Sequence, residues 1–533
     1  MTPNRRTFLK QLSGGAAGLG AVWFLPGCRP ARVEAHHQRL PRSTPEAEGV
    51  SSAGLLAFLE EIGNSKHELH SFMMARHGRV VAEGWWPPYA PAINHTMYSM
   101  SKSFTSTAVG FAVAEGRLKV TDRVVSFFPK ELPGEIGEHL AELRVRDLLT
   151  MSVGNEREPT GAVVKEENWV KTFLAQPITH APGSTFMYNS AATYMCSAIV
   201  QQLTGKPILE YLKPRLFEPL GIEGATWETC PRGINTGGWG LGIQTEGLAK
   251  FGQLYLQNGV WNGRAILPAS WVAEATTFKI QQPLPATPGR PNAQNDWLQG
   301  YGYQFWRSQH NAYRGDGAFG QYTVVLPDQD VVIAMTGESN DMQGELDLVW
   351  KHLLPACNAR GLAADSPAQK HLQQTLSSLA LKLPLGQPAS PMAERISGRT
   401  FRLEGNALGL QSATFAFQSH ACLATFRDAH TEYPIACGIG QWQRGETALP
   451  NTPPRIISGG SPKPGTRHKF AASGAWMRDD TFELMLRYYE TPHHDSLTCQ
   501  FEGDQVKISF QSSIAKINRA KDSRPVLVGR MMA

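Results

Sequence analysis

The 533-residue sequence lacks the motifs that mark several large classes of hydrolase and metalloprotein. It has no Gly-x-Ser-x-Gly segment, which disfavours an α/β-hydrolase, and no His-Glu-x-x-His segment, which disfavours a metallohydrolase. None of its seven cysteines forms a Cys-x-x-Cys pair, and the six after Cys28 lie far apart. The sequence therefore predicts neither a metal site nor a dense disulfide framework, although one or two disulfides remain open.

Charge is also scarce. The formal net charge is only +5, and charged residues make up 18% of the chain. With no long basic run in the mature part, nucleic acid is not expected as a partner. The hydrophobic fraction of 41% is ordinary for a globular protein, and the length suffices for two or three domains.

Residues 1–28 predict an export signal. Arg5 and Arg6, followed by Phe and Leu, resemble a twin-arginine signal, and the Gly/Ala-rich apolar stretch 14–25 has the length of a signal core. The run Leu25-Pro-Gly-Cys28 resembles a bacterial lipobox, so Cys28 is the predicted lipidation site. We expect an exported protein of the cell envelope or periplasm, whose only membrane contact is this lipid. The alternative is a retained anchor with Cys28 as an ordinary thiol; residues 29–45 have the composition of a linker.

Residues 46–360 predict one mixed domain. Apolar spacing favours a helix over Ser52–Ile62, and two strands over Ser71–Gly84 are expected to turn at His77-Gly78. A hairpin rich in β-branched residues is expected over Gln321–Met335, followed by a helix over Glu345–Leu354. Strands from both ends thus bracket a largely helical middle. This order predicts an α+β fold, an antiparallel sheet flanked by helices with a helical subdomain.

The remaining sequence predicts a connector and a second domain. Residues 361–392 contain a polar helical piece, Gln369–Lys382, and then a Pro-rich run. From 393 to 533, short alternating strands are separated by Gly, Pro, Asp and Asn. This pattern is typical of an all-β domain, a sandwich or barrel, and we find no catalytic constellation in it.

The segment Ser99-x-x-Lys102 is the strongest candidate for chemistry. Residues three apart share a helix face, and apolar residues that follow Lys102 at helical spacing should bury this helix. A serine hydroxyl needs an adjacent base, and a buried amine can lose its charge. A second Ser-x-x-Lys, Ser513–Lys516, lies between strand-like runs without such a stripe and is not expected to be catalytic.

Two further segments accompany Ser99. Tyr188 follows a Pro-Gly loop and immediately precedes a predicted helix, so its phenol can reach into a cleft. The run from Tyr313 to Gln321 is rich in glycine and enters the predicted hairpin. Such small residues let the backbone of a strand approach a substrate closely.

Together these segments resemble the serine β-lactamase and penicillin-binding-protein family, especially its esterase-like and 6-aminohexanoate-dimer-hydrolase-like branch. The order Ser-x-x-Lys, Tyr motif and Gly-rich strand is similar, as are the runs Leu148–Gly154, Gly237–Gly242 and Leu248–Leu256. The resemblance covers residues 46–357 and not the all-β domain. It implies the fold of β-lactamases and transpeptidases.

The resemblance also implies roles for individual residues. Ser99 would attack a carbonyl and form an acyl-enzyme, Lys102 would take its proton, and Tyr188 would donate or relay a proton. The backbone N–H groups of Ser99 and Ala318 would form the oxyanion hole. No cofactor is implied.

Two positions depart from the family pattern. Ser190 stands where relatives carry the Asn of a Tyr-x-Asn motif, and Asp316 stands where relatives carry Lys or His. We take Ser190, Asp316 and Gly317 as candidate substrate contacts. A carboxylate at 316 would repel the acidic group of a penicillin, so a dedicated β-lactamase is not expected.

The predicted function is hydrolysis of a small ester or amide through an acyl-enzyme, with a cationic portion of the substrate favoured. The alternative is a catalytically weak cell-envelope binding or sensor protein that retains the acyl pocket. The sequence leaves the oligomeric state open.

Overall fold

A computed structural model describes residues 39–283, 289–457 and 465–532. The predicted export signal, Cys28 and most of the predicted linker lie outside these residues, so export and lipidation stay predictions. No helix in the described ranges is long and apolar enough to cross a membrane.

The first domain is organised around a six-stranded antiparallel sheet. Within this sheet, β1 from the start of the domain pairs with β11 from its end. Its strand order is β2-β1-β11-β10-β9-β8. The strands are β1 (Leu69–Arg76), β2 (Arg79–Trp85), β8 (Trp306–Arg307), β9 (Tyr313–Gly317), β10 (Gln321–Leu326) and β11 (Val331–Gly337). Two small sheets accompany it: β3 (His95–Thr96), β4 (Thr226–Trp227) and β5 (Leu241–Ile243), and β6 (Val260–Trp261) with β7 (Arg264–Ala265).

Helices cover both faces of the large sheet. In β1, Met73 and Ala75 pack into one core while Phe72 and Met74 pack into another, as strand alternation requires. The helices of this domain and the connector are α1 (Ser52–Asn64), α2 (Ser101–Ala114), α3 (Glu138–Glu142), α4 (Val145–Leu149), α5 (Thr160–Val163), α6 (Trp169–Leu174), α7 (Ser190–Thr204), α8 (Ile208–Leu212), α9 (Thr245–Leu256), α10 (Ala269–Thr276), α11 (Met342–Leu348), α12 (Leu354–Ala356), α13 (Ser366–Ser377) and α14 (Pro391–Ile396).

The C-terminal part is a ten-stranded sheet that closes on itself, because β15 pairs with β17 as well as with β14. Alternate residues of each strand face its own core. Its elements are β12 (Thr400–Leu403), β13 (Ser412–Gln418), β14 (Ala421–Arg427), β15 (Glu432–Ile439), β16 (Gln443–Thr447), β17 (His468–Arg478), β18 (Thr481–Arg487), β19 (His494–Glu502), β20 (Gln505–Ser512), α15 (Ser513–Ile517) and β21 (Leu527–Met531).

The expected mixed fold with an additional all-β part is present, and the connector helix differs from its predicted bounds. The connector helix α13 begins before Gln369, because Asp365 caps its start by accepting from the backbone N–H of Ala368. The helix ends at Ser377, before Lys382. The six cysteines in the described ranges are all free thiols, so neither of the disulfides left open by the sequence is formed there.

Helix α2, which contains Lys102, is deeply buried. Its first twelve residues, polar ones included, are buried between the sheet and α7. At Gly110 the helix lies against the indole of Trp271, and a Cβ there would come within 2.5–2.6 Å of three indole atoms. This glycine allows the close approach that positions α2.

We predict that Gly110→Ala lowers the free energy of unfolding by about 1–3 kcal/mol, because overpacking a rigid neighbour outweighs the gain in helix propensity. Gly161→Ala is the control, since a Cβ at this glycine of α5 meets no atom within 4 Å. Thermal or denaturant unfolding of both variants checks the prediction, and equal stabilities would contradict it.

Candidate active site

Ser99 lies in a single 3-10 turn, Tyr98–Met100, that leads directly into α2. Tyr98 has a φ of +45°, a left-handed conformation that a non-glycine residue adopts rarely. The turn is tied to β5, because the hydroxyl of Ser101 accepts from the backbone N–H of Leu241 at 3.1 Å. The chain therefore enters α2 with Ser99 held at its first turn.

The amine of Lys102 is buried and has three oxygen neighbours. Lys102 is only 1% exposed to solvent. Its Nζ lies 2.9 Å from Ser99 Oγ, 3.0 Å from Ser190 Oγ and 2.7 Å from the carbonyl oxygen of Gly238. A neutral amine has two N–H donors and one lone pair. The Gly238 carbonyl can only accept, so a neutral Lys102 can donate to Gly238 and Ser190 while accepting the proton of Ser99.

Burial lowers the pKa of Lys102 to about 7, because the charged form loses its hydration. The carboxylates of Glu158 and Asp316 act in the opposite direction but more weakly. Above about pH 7 the amine is therefore largely neutral and available as a base.

Tyr188 lies directly before α7, beside both Ser99 and Lys102. Its half-buried ring has the Lys102 amine 4.8 Å from its centroid, and its phenol is within hydrogen-bonding reach of the Ser99 hydroxyl. Trp306 stacks on the other side of the ring, with centroids 5.7 Å apart. Burial raises the pKa of Tyr188 above its usual range, so the phenol keeps its proton and can donate it.

At the start of α7, Asn189 caps the helix and Ser190 contacts Lys102. Asn189 is the N-cap, where its side-chain oxygen accepts from the backbone N–H of Ala192 at 2.9 Å, and its amide donates to Asn155. The amide is thus occupied, and Ser190 provides the hydroxyl that faces Lys102.

Strand β9 approaches the Ser99 turn at two glycines. A Cβ at Gly317 would overlap the carbonyl oxygen of Met97, and one at Gly315 would overlap the side chain of Met100. The next residue, Ala318, is part-exposed at the end of this strand. Its backbone is held through its carbonyl oxygen, which accepts from Gln321 Nε2 at 2.9 Å.

Asp316 lies among these groups but is paired. Its carboxylate accepts from Arg314 Nε at 3.0 Å, and both side chains are buried. Burial raises its pKa, while Arg314 and Lys102 oppose that change. Arg314 itself lies over the rings of Trp297 and Trp306. Much of the negative charge expected at this position is therefore offset by a guanidinium two residues earlier.

Glu158 is an additional charged group near the site that the motifs did not indicate. Its carboxylate accepts from the backbone N–H groups of Ser190 and Thr160, both at 3.0 Å, and it is exposed to solvent. It is also the strongest charge acting on Lys102. No local sequence pattern marks Glu158, because its partner Ser190 is distant in sequence. The carbonyl group of Gly238 belongs to the run Gly237–Gly242, which in the sequence indicated only a resemblance to the family and not a contact with Lys102.

The second Ser-x-x-Lys segment has a different environment. Ser513 begins the five-residue helix α15, and Lys516 is exposed to solvent. An exposed ammonium retains its hydration, so this pair lacks the burial that distinguishes Lys102.

Within the described residues, one group of side chains has the geometry to hold a metal ion, Glu68, Glu338 and His494. A cationic side chain already pairs with this group, because both terminal nitrogens of Arg487 donate to the Glu68 carboxylate. The chemistry described for Ser99, Lys102 and Tyr188 does not draw on these residues.

Comparison with known proteins places this site in context. The family model described as Beta-lactamase matches residues 70–354. A 6-aminohexanoate-dimer hydrolase of Paenarthrobacter ureafaciens is 28% identical over 218 residues, 38% of this chain and 55% of that protein. The chain thus spans about half the length of this curated relative.

The solved structures to which this chain is similar include two penicillin-binding protein homologues. The protein of Caulobacter crescentus has a TM-score of 0.46 and 15% identity, covering 56% of this chain and 97% of its own. The octameric homologue of Pyrococcus abyssi also has a TM-score of 0.46 and 15% identity, covering 89% of this chain and 99% of its own.

We predict that Lys102 titrates near pH 7. The measurement is the ¹³C chemical shift of ¹³Cε-labelled lysine against pH, with the resonance assigned by its loss in Lys102→Met. Because burial is the main cause, Ser99→Ala should leave the midpoint low. A midpoint near the ordinary lysine value of about 10.4 would contradict the prediction.

Proposed function

The chain belongs to the beta-lactamase family, and on that premise we propose that it is a serine hydrolase that cleaves an ester or amide through an acyl-enzyme. The observation that carries the proposal is the 2.9 Å contact between the Ser99 hydroxyl and an amine whose pKa is lowered to about 7. A nucleophile and a base that is neutral near physiological pH are the two requirements of such catalysis.

In the acylation step, Ser99 Oγ forms a bond to the carbonyl carbon while its proton passes to Lys102. The negative charge moves to the carbonyl oxygen, where the backbone N–H groups of Ser99 and Ala318 would receive it. The close packing of Gly317 against the Ser99 turn supports this pairing of donors. Losing one such donor typically costs about 3–4 kcal/mol of transition-state stabilisation.

In the next step, the bond to the leaving group breaks and that group needs a proton. The phenol of Tyr188 is protonated and lies beside Ser99, so it would supply this proton. The Lys102 ammonium would then protonate the Tyr188 oxygen again. Ser190 bridges to Lys102 on the same side and would help to hold the ammonium formed. Water would then attack the ester of Ser99, with the same groups acting in reverse.

The substrate class follows from the charges around the cleft. Because Asp316 is paired with Arg314, its repulsion of an acidic substrate is weaker than its sequence position indicates. Glu158 remains exposed beside Ser190, and it would favour a neutral or cationic ester or linear amide. A dedicated β-lactamase is not proposed.

We predict that wild-type protein reacts with a fluorophosphonate probe and hydrolyses a chromogenic ester, and that Ser99→Ala abolishes both. Ser106→Ala is the matched control, since this buried hydroxyl of α2 has no hydrogen-bond partner in the described structure. The labelling rate should rise with pH as Lys102 loses its proton near pH 7. Absence of labelling in the wild type would favour a non-hydrolytic binding protein instead.

We also predict that Glu158→Gln lowers the ratio of kcat/KM for a cationic ester over an anionic one. One unit charge at close range in water contributes about 1 kcal/mol, or about fivefold. Glu156→Gln, an exposed carboxylate two residues away, serves as the control. An unchanged ratio would show that Glu158 does not set the charge preference.

A further inference from the structure

The C-terminal domain contacts the segment of chain that leads to Ser99. The loop between β18 and β19 offers the carbonyl oxygen of Glu490 to both the backbone N–H and the hydroxyl of Thr96, at 2.9 and 3.1 Å. The phenol of Tyr89 donates to the carbonyl oxygen of Thr491 at 2.9 Å. The loop is therefore bonded to the chain three residues before the nucleophile.

His493, at the end of this loop, contacts the residue that precedes Ser99. The histidine is fully buried, and its Nε2 is hydrogen-bonded to the phenol of Tyr98. Its Nδ1 lies 2.6 Å from a carboxylate oxygen of Glu338. Burial raises the pKa of Tyr98, so the phenol keeps its proton and can donate it to Nε2 of a neutral imidazole. In that tautomer the imidazole proton is on Nδ1, which faces Glu338.

His493 also packs against the residue that follows Ala318. Its ring centroid lies 4.9 Å from that of Phe319 and 5.7 Å from that of Tyr98, and the latter two rings are 5.8 Å apart. The three rings form one cluster. Its members from the first domain are thus the immediate neighbours of the two proposed oxyanion donors, Ser99 and Ala318.

Both neighbours have an unfavourable backbone conformation. Tyr98 has a φ of +45° and Phe319 a φ of +69°. The left-handed region is unfavourable for a non-glycine residue, so surrounding contacts must maintain it. The hydrogen bond to Tyr98 and the edge contact with Phe319 are contacts of this kind.

We propose that His493 is a positioning residue for the active site: it holds the main chain beside both oxyanion donors, so that the C-terminal domain completes the catalytic geometry of the first domain. The proposal rests on the proposed function. It assigns the C-terminal domain a role that the Ser99, Lys102 and Tyr188 constellation alone does not require.

The test compares acylation rates in His493→Ala, His493→Gln, Tyr98→Phe and the double variant Tyr98→Phe/His493→Ala. We expect His493→Ala to lower kcat for a chromogenic ester, and the rate of fluorophosphonate labelling, by about 10-fold to 100-fold with little change in KM. His493→Gln should recover part of the loss, because its side-chain oxygen can accept from Tyr98. The double variant should lose no more than His493→Ala, because both changes remove the same hydrogen bond.

Two control variants separate positioning from stability. His420→Ala removes an exposed histidine of the same domain, and Phe415→Leu weakens the core of that domain away from the site. Neither should slow labelling, although Phe415→Leu should lower Tm. If Phe415→Leu slows labelling as much as His493→Ala at a similar loss of Tm, or if the Tyr98 and His493 effects simply add, the inference is overturned.

The outcomes also separate this inference from the proposed function. A wild-type protein that is not labelled at Ser99 contradicts the proposed function, whereas normal labelling of His493→Ala contradicts only the role of His493. Should His493→Ala fail to fold, Tyr98→Phe decides alone, since it removes a single oxygen atom. Labelling of Tyr98→Phe at the wild-type rate would then overturn the inference.

Discussion

The burial of one amine is the constraint on which the rest of the site depends. A charged lysine in this position would lose most of its hydration, and the cost is avoided when Lys102 gives up its proton. Nearby carboxylates work against this, since each favours the ammonium. The ion pair of Asp316 with Arg314 limits that effect, and Glu158 is exposed to water, which screens its charge. By pairing one carboxylate and leaving the other in water, the protein keeps the amine neutral near pH 7 and able to accept a proton.

A second constraint is the distance between backbones. The oxyanion site proposed for Ser99 and Ala318 requires β9 to come close to the turn that precedes α2, and glycines at 315 and 317 remove the side chains that would prevent it. Helix α7 completes the arrangement from the other side, where Asn189 caps the helix and leaves Ser190 facing Lys102. Small residues in β9 and a capping residue at the start of α7 thus allow three segments far apart in sequence to meet.

The sequence could predict those parts of the molecule whose physics is local. Helical spacing places Ser99 and Lys102 on one face, and apolar periodicity indicates the buried helix and the two hairpins. The contribution of Ser190 follows from its position beside Tyr188. The ion pair of Asp316 with Arg314 was not predicted from the sequence, although the two residues lie on one face of a strand. The order of charged residues alone does not show which cation a carboxylate pairs with. Glu158 and His493 could not be found in this way, since His493 meets Tyr98 across 395 residues.

Contacts made by charged side chains join the first domain to the C-terminal domain. The interface between the two domains contains buried charges, and such charges are tolerated only when each has a partner. Glu338 is hydrogen-bonded to His493 and His494, and Glu68 to Arg487, so both of these carboxylates have partners in the C-terminal domain. Separating the two parts of the chain would break these ion pairs and hydrogen bonds. The ring of His493 is held by hydrogen bonds at both nitrogens, and a fixed ring is what the positioning role proposed for it requires.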